Sequence, residues 1–223
     1  MDIWYGFVKN VIRIYTAFFL HYQVQGKDNI PAGPKIIVGN HPYATDGFAL
    51  PFIFQEKLHF AIQENIFEMP FVGRMLALAG QIPVRVGQGH EMLKTAKVWL
   101  EKGHDIVIFP EGRLNLGREF HRAGSGAALL ALQTGAPVVP LGIWSPPEFA
   151  RMVRNTFMSQ PATGGWQLGG KLYIKIGEPL FLSGPDDPQR LYRHLRECTN
   201  LIMSTVADLV QQSYNESSDP SAA

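Results

Sequence analysis

Residues 38–50 read VGNHPYATDGFAL, a polar loop that joins one apolar run to another. The apolar residues before Asn40 predict a buried strand, and Asp46 is placed to begin a helix over residues 46–56. Short apolar runs and helical patterns continue to alternate along the chain. This order predicts an α/β fold, a single domain with a largely parallel mixed sheet flanked by helices.

The remaining elements follow from hydrophobic periodicity and from turn residues. Strands are predicted at 21–26, 35–40, 58–63, 81–87, 105–112, 136–144 and 171–180, and helices at 69–80, 89–103, 124–135 and 187–213. Residues 145–170 are predicted to form a short helix and a glycine-rich loop. Because parallel sheets bind ligands beyond the carboxyl ends of their strands, we expect the functional site in the loops after residues 38 and 108.

Composition limits the classes of function. The 223 residues are 46% hydrophobic and 17% charged, with a formal net charge of +1, so no global basic surface indicates a nucleic-acid partner. The single cysteine excludes an internal disulfide, and the seven histidines show no metal-ligand spacing. The sequence therefore predicts a globular protein without a metal site.

Residues 1–20 form an apolar segment that carries a few polar residues on one side. These are Lys9, Asn10, Arg13 and Thr16, at helical spacing. The pattern predicts an amphipathic helix at a membrane interface, with aromatic residues inserted: Trp4, Phe7, Phe18 and Phe19. The alternative is a core helix whose apolar face packs on the domain. We expect the domain itself over residues 21–213 and a disordered tail over 214–223.

His41 and Asp46 lie five positions apart at the predicted end of a strand. A carboxylate that accepts the Nδ1 proton of an imidazole leaves Nε2 free as a base, which would activate a hydroxyl. Alternatively, Asp46 caps the next helix and His41 fills a turn, and the spacing does not separate these interpretations. No nucleophile elbow accompanies the pair, because alanines flank Ser125 where the pattern needs glycine.

The stretch IVIFPEGRLN, residues 106–115, brings Arg113 to the end of another predicted strand. A guanidinium beside a flexible glycine is suited to hold a phosphate monoester. The alternative is a solvated loop in which Arg113 pairs with Glu111. Arg85, in GQIPVRVG, is a weaker candidate at a further strand end.

Four of these stretches, in order, resemble the motifs of the glycerophospholipid acyltransferases. NHPYATD (40–46) matches His-x4-Asp preceded by Asn, and FPEGR (109–113) resembles Phe-Pro-Glu-Gly-Thr-Arg. GQIPVRVG (80–87) resembles the second motif and APVVPLGI (136–143) the fourth, centred on Val-Pro. The resemblance covers roughly residues 24–145 and includes the late strand near 171–180.

The resemblance implies an α/β acyltransferase that moves a fatty acyl group from a thioester of coenzyme A or acyl carrier protein. The acceptor would be a hydroxyl of lysophosphatidic acid or a related lysophospholipid. His41 would be the general base and Asp46 would orient it. Substrate-binding roles would fall to Asn40, Arg85, Glu111, Gly112, Arg113 and Pro140. The reaction needs no metal or cofactor, and the enzyme would work at the cytoplasmic face of a membrane.

Two departures from the family pattern affect the acceptor side. The third motif lacks its threonine, so Arg113 stands one position closer to Glu111 than usual. In the second motif the usual arginine aligns with Val86, which leaves Arg85 one place early, and on a strand that shift changes the face. Two alternatives therefore remain: an acyltransferase for a non-phosphate lipid alcohol, such as a glycolipid or amino-lipid, and a non-catalytic membrane lipid-binding protein of the same fold.

Overall fold

The structure is a computed structural model that describes residues 3–85, 87–157, 160–185 and 187–217, without the side chains of 153–157, 160–163 and 188. The helices are α1 (Ile3–Phe19), α2 (Glu64–Phe67), α3 (Val72–Leu78), α4 (Gly89–Glu101), α5 (Gly126–Thr134) and α6 (Leu191–Ser217). The strands are β1 (Leu20–Gln25), β2 (Ile36–Gly39), β3 (Leu58–Gln63), β4 (Ile82–Val84), β5 (Asp105–Ile108), β6 (Val138–Trp144), β7 (Ala150–Phe157), β8 (Gln160–Gln167) and β9 (Gly170–Ile176).

Seven strands form one sheet in the order β1-β9-β6-β2-β5-β3-β4. Every neighbouring pair is parallel except β6 and β9, whose antiparallel register joins Leu141 to Ile176. The predicted fold class, a largely parallel mixed sheet flanked by helices, is confirmed. Since β2, β3, β4, β5 and β6 share one direction, their carboxyl ends meet at a single edge of the sheet.

Alternate residues of the central strands supply two cores, one on each face of the sheet. Ile36 and Ile106 pack with α4, α5 and α6 on one face. Ile37 and Val107 pack on the other face, against the segment between β2 and β3. This alternation explains why each central strand is apolar on both sides, as expected for a sheet that is covered on both faces.

The helix predicted over residues 46–56 is wrong. Two 3-10 turns replace it, at Asp46–Phe48 and Leu50–Phe52. Pro51 lies in the middle of this segment and has no N–H to donate to an α-helical ladder, so a continuous helix cannot form. The two short turns keep Leu50 and Phe54 in the core while the chain changes direction.

The loop predicted over residues 145–170 is also corrected, because β7 and β8 form a two-stranded antiparallel hairpin there. The glycines and prolines of this stretch favour a loop by local propensity. The ladder and contacts with the rest of the domain outweigh that preference: the Ala44 N–H donates to the Gly165 carbonyl at 2.9 Å. The hairpin thus lies against the loop that carries His41.

The C-terminal helix α6 ends at Ser217, four residues beyond the predicted end at 213. Ser213 is buried, and the Glu216 carboxylate pairs with the Lys175 ammonium of β9 at 2.5 Å. These contacts extend the helix into the region predicted to be disordered, and residues 218–223 lie outside the described part of the chain.

Helix α1 lies with its apolar stripe facing outward. The side chains of Trp4, Phe7, Val11, Ile14 and Phe18 are all exposed. The opposite side of the helix contacts the domain, where Tyr5 and Thr16 are buried and the Lys9 ammonium lies over the Phe52 ring. The alternative of a core helix that buries its apolar face is therefore wrong.

Candidate active site

The candidate site lies at the carboxyl edge of the parallel strands. His41 follows β2, which ends at Gly39, and Glu111 follows the neighbouring strand β5, which ends at Ile108. The two loops are joined by backbone hydrogen bonds, from the Asn115 N–H to the His41 carbonyl at 2.9 Å and from the N–H of residue 116 to the Pro42 carbonyl at 3.1 Å. These bonds hold the two loops against each other at the edge of the sheet where the site was expected.

The structure brings His41 and Asp46 together. The imidazole Nδ1 lies 3.2 Å from Asp46 Oδ2, and the same oxygen accepts a 2.6 Å bond from the Tyr43 N–H. Because an ionised carboxylate can only accept, this contact fixes the proton on Nδ1 and leaves the lone pair on Nε2. The histidine side chain is 22% exposed, so the ring is accessible from outside the protein.

Asp46 is fully buried, and burial raises the pKa of its carboxyl above the usual value. The hydrogen bond and the charge of His41 oppose this shift, as does the Tyr43 N–H. Oδ1 has no hydrogen-bond partner among the described residues. A desolvated carboxylate with one unpaired oxygen is strongly attracted to a positive charge on His41, which is the charge that a general base acquires.

Phe109 holds the imidazole from one side. Its ring stacks on the His41 ring with centroids 4.2 Å apart and planes 9° from parallel. With Asp46 bonded at Nδ1 and Phe109 against one face, the ring has little freedom to rotate. Sequence reasoning missed this role, although Phe109 stands in the quoted FPEGR stretch.

Glu111 anchors the two loops through a buried carboxylate. Oε1 accepts from the His41 N–H at 3.2 Å and from the Asn115 side-chain amide at 2.8 Å, while Oε2 accepts from the His121 N–H at 2.8 Å. The predicted alternative, a Glu111–Arg113 pair, is not formed: among the described residues no ion pair joins Arg113 to this carboxylate, whose partners are the three donors above. Glu111 thus supports the backbone of His41, and its predicted contact with substrate stays a prediction.

Asn40 and Pro140 are both buried, and their predicted contacts with substrate stay predictions. The Asn40 side chain is buried and bonds both the N–H and the carbonyl of Ile143 at 2.8 Å, so its polar atoms are occupied. Pro140 lies opposite Val38 in the sheet, and Val38 precedes His41 by three residues. Asn40 therefore ties the end of β2 to β6, while the Pro140 carbonyl accepts from the Gly177 N–H, just beyond β9, at 2.9 Å.

The remaining predicted residues lie at the same sheet edge. Arg85 Nε bonds both oxygens of Glu64, at 2.5 and 2.6 Å, which ties its guanidinium to the end of β3. Gly112 receives at its carbonyl a 2.5 Å bond from the Gln63 side chain, and Arg113 beside it is exposed. Val86, which aligns with the family's usual arginine, lies outside the described residues. The edge therefore offers Arg113 as an accessible cation near Gly112.

Ser125 and Cys198 both contact side chains of α6, and Cys198 Sγ lies 3.4 Å from His194 Nε2. The Ser125 hydroxyl lies 3.3 Å from the Arg196 guanidinium and 3.0 Å from the Thr199 hydroxyl, at the start of α5. Cys198 is buried in α6, and burial raises the pKa of its thiol. Over residues 3–217, masked positions aside, no group of three His, Cys, Asp or Glu side chains could hold a metal ion.

In the part of the chain that the structure covers, no helix has both the length and the hydropathy to cross a membrane. The N-terminal helix α1 has 17 residues, and it carries Lys9 and Arg13.

Comparisons with known proteins find similarity to acyltransferases. The Acyltransferase family model matches residues 21–144. A 1-acyl-sn-glycerol-3-phosphate acyltransferase of Pseudomonas aeruginosa is 26% identical over 85% of this chain and 70% of its own length. One of Borreliella burgdorferi is 31% identical over 56% of this chain and 52% of its own.

Among solved structures, the 1-acyl-sn-glycerophosphate acyltransferase PlsC of Thermotoga maritima superposes with a TM-score of 0.61 at 24% identity. The superposition covers 92% of this chain and 80% of that one, and it shows a shared fold. The family match includes the loops of both His41 and Glu111, with the strands that position them. The chain is therefore a member of the Acyltransferase family of enzymes.

Proposed function

We propose that this protein is an O-acyltransferase that moves a fatty acyl group from an acyl thioester to a hydroxyl of lysophosphatidic acid or a related lysophospholipid. The donor is acyl-CoA or acyl carrier protein loaded with an acyl chain. The observation that carries this proposal is the His41–Asp46 pair, with Nε2 unengaged at the carboxyl edge of the sheet, in a member of the Acyltransferase family. The acceptor class rests on the names of the relatives.

In the proposed reaction, His41 Nε2 removes the proton from the acceptor hydroxyl as its oxygen attacks the thioester carbonyl carbon. Asp46 stabilises the resulting imidazolium through Nδ1. The tetrahedral intermediate then collapses, the carbon–sulfur bond breaks, and the imidazolium returns the proton to the thiolate. The products are the ester and a free thiol, and the reaction needs no metal or cofactor.

Direct attack by the acceptor is favoured over a covalent acyl-enzyme. The Ser125 hydroxyl is engaged with Arg196, Cys198 is buried, and neither has a contact with His41 among the described residues. Both substrates must therefore be bound together, so the acceptor determines whether the thiol is released.

Arg113 is the residue that we propose for the acceptor phosphate. It is exposed beside Gly112 at the same edge as His41, and its guanidinium can bind a phosphate through two parallel hydrogen bonds. Arg85 is paired with the Glu64 carboxylate through its Nε, so its charge is partly neutralised. This engagement of Arg85 favours, as a second candidate, an acceptor without a phosphate, such as a glycolipid or amino-lipid.

Helix α1 supports work at a membrane surface. Its exposed stripe of Trp4, Phe7 and Phe18, together with the cations Lys9 and Arg13 and no carboxylate, is the composition of a helix that lies in a membrane interface. We propose that α1 binds the cytoplasmic face of a membrane and brings the site to its lipid acceptor.

A thiol-release assay tests the function. Purified protein is mixed with acyl-CoA, or with acyl carrier protein carrying the same chain, and the free thiol is measured with and without lysophosphatidic acid. Release that depends on the acceptor is expected. The matched acceptor is monoacylglycerol, which lacks only the phosphate. Equal rates with both acceptors would favour the non-phosphate candidate. No acceptor-dependent release from either donor across phospholipid, glycolipid and amino-lipid acceptors would contradict the proposal.

A further inference from the structure

The turn between α2 and α3 places a phenylalanine at an exposed corner. Phe71 is 86% exposed, with φ +63° and ψ −53°. The Val72 N–H donates to the Pro70 carbonyl at 2.7 Å, which closes a three-residue γ-turn around Phe71. This form of γ-turn is rare and strained, and a side chain other than glycine seldom occupies its centre.

The surrounding residues maintain the corner. The Gly73 N–H donates to the Met69 carbonyl at 2.9 Å, so the chain reverses within a few residues. A Cβ atom at Gly73 would lie 1.8 Å from the Phe67 carbonyl oxygen, so no side chain fits there. The tight packing of α2 against α3 therefore directs residue 71 outward.

Phenylalanine at this corner buries little of its side chain in the folded chain. Glycine would adopt the same φ without strain, and the exposed ring contributes little burial. Residues in strained backbone conformations cluster at functional positions such as active sites and ligand clamps. We therefore expect the Phe71 side chain to contact a partner outside the protein.

The position of the turn indicates the partner. Helix α3 packs against α1, and its Val72 is also exposed, so the turn begins a helix that contacts the one carrying the exposed stripe. Arg13 of α1 is exposed, and with no carboxylate on that helix it is suited to anionic lipid headgroups. Because α3 contacts α1, a bilayer that binds α1 would lie close to Phe71.

We propose that the α2–α3 turn is a second membrane-contact element, which inserts Phe71 into an anionic phospholipid bilayer beside α1. This inference rests on the proposed function, and it deepens the membrane contact assigned there to α1. Two separated contacts fix the orientation of the domain on the surface, which a single helix does not. Helix α2 follows directly from Gln63, whose side chain bonds Gly112, so the second contact holds the acceptor end of the site close to the lipid.

Vesicle binding by matched variants tests this inference. Phe71→Gly removes the ring and suits the backbone. Phe181→Gly is the control, because Phe181 is 73% exposed and follows Leu180, which pairs with Val138 at the opposite edge of the sheet. In co-sedimentation with phosphatidylcholine–phosphatidylglycerol vesicles, Phe71→Gly should bind about tenfold more weakly and Phe181→Gly within about twofold of the parent.

The Tm of Phe71→Gly should equal or exceed that of the parent, because the strain is relieved. Binding of Phe71→Gly equal to that of the parent would overturn the inference. A different result would also overturn it: light scattering without lipid could show that the parent is a dimer and that Phe71→Gly is a monomer. A second copy of the chain would then cover the turn.

A fluorophore at residue 71 gives a direct readout. The sole cysteine is replaced by Cys198→Ala, and Phe71→Cys or Phe181→Cys supplies a single site for an environment-sensitive label. Vesicles should shift the emission of the label at 71 to the blue, and brominated lipids should quench it, with neither effect at 181. An unchanged emission at 71 would overturn the inference.

The outcome is separable from that of the proposed function. Acyl transfer to a short-chain, water-soluble acceptor does not need the bilayer, so Phe71→Gly should retain the parent rate there. Parent-like vesicle binding by Phe71→Gly, together with acceptor-dependent thiol release, would reject the second contact and leave acyl transfer standing. Weakened binding without any thiol release would reject acyl transfer alone.

Discussion

Replacement of Asp46 by asparagine separates the catalytic role of this side chain from its structural role. The Tyr43 N–H requires an acceptor at the position of Asp46 Oδ2, 2.6 Å away, so the amide oxygen is expected to take that place. The loop geometry and a contact with His41 Nδ1 are then retained. What is lost is the negative charge, and with it the stabilisation of the protonated imidazole.

The size of the loss follows from the 3.2 Å separation of His41 Nδ1 and Asp46 Oδ2. At an effective dielectric constant of about 20, two unit charges at this distance attract by about 5 kcal/mol. This corresponds to the upper part of the roughly 10² to 10⁴ range for general-base assistance. We therefore expect Asp46→Asn to lower kcat by about 10³ to 10⁴.

The stability of Asp46→Asn should change little. The new amide N–H groups would point where Oδ1 lacks a partner, at a cost of about 1–3 kcal/mol. Removal of a fully buried charge, whose pKa is already raised by burial, offsets part of that cost. Thiol release with saturating acyl-CoA and acceptor measures kcat, and thermal unfolding measures stability. A variant that unfolds like the parent and retains more than about a third of its kcat would refute the proposed role of Asp46.

Three further predictions follow from the contacts. Glu111→Gln should lower kcat about tenfold with KM nearly unchanged. The N–H groups of His41 and His121 bond different oxygens of the carboxylate, and an amide has only one oxygen. An effect on KM alone would assign Glu111 to substrate binding. Arg113→Ala should raise KM for lysophosphatidic acid but not for monoacylglycerol, and equal effects on both would exclude a phosphate contact. Lys35→Met should lower the unfolding free energy at pH 7 by about 3–5 kcal/mol, because it leaves the buried Asp105 carboxylate without its cation; an unchanged denaturation midpoint would contradict this.

The Lys35 site also predicts a pH dependence. Burial raises the pKa of Asp105 to about 6, despite the nearby Lys35 ammonium, against an ordinary value of 3.8. The folded state therefore keeps this proton over a range where the unfolded state releases it, and this group lowers stability as pH rises from about 4 to about 6. The destabilisation by Lys35→Met should accordingly be smaller at pH 5 than at pH 7, and urea unfolding at the two pH values measures the difference.

The sequence was most informative where contacts are local. The apolar runs around Ile37 and Val107 predict strands buried on both faces, and the structure has them so. The spacing of His41 and Asp46 predicts a contact within one loop, and the two side chains meet there at 3.2 Å. Pro51 is a local signal too, because a proline at this position disfavours the helix predicted over residues 46–56.

Assignments failed where partners are distant in sequence. Asn40 bonds Ile143, 103 residues away, and Arg85 bonds Glu64, 21 residues away, and neither partner follows from a motif. The β7–β8 hairpin was missed for the same reason, because tertiary contacts such as Ala44 with Gly165 compensate for low strand propensity. Phe109 lies in a motif that the sequence identifies. Its stacking on His41 could not be predicted, because it depends on the distance between the two rings in the folded protein.

The central claim is that His41 removes the proton from the acceptor hydroxyl. Its most direct test compares His41→Ala with His90→Ala, a control at a histidine whose side chain is 65% exposed and pairs with Glu91 on the surface of α4. The measurement is acceptor-dependent thiol release by equal amounts of folded protein. The account predicts that His41→Ala loses this activity by at least about 10², while His90→Ala retains it. Undiminished release by His41→Ala would contradict the account.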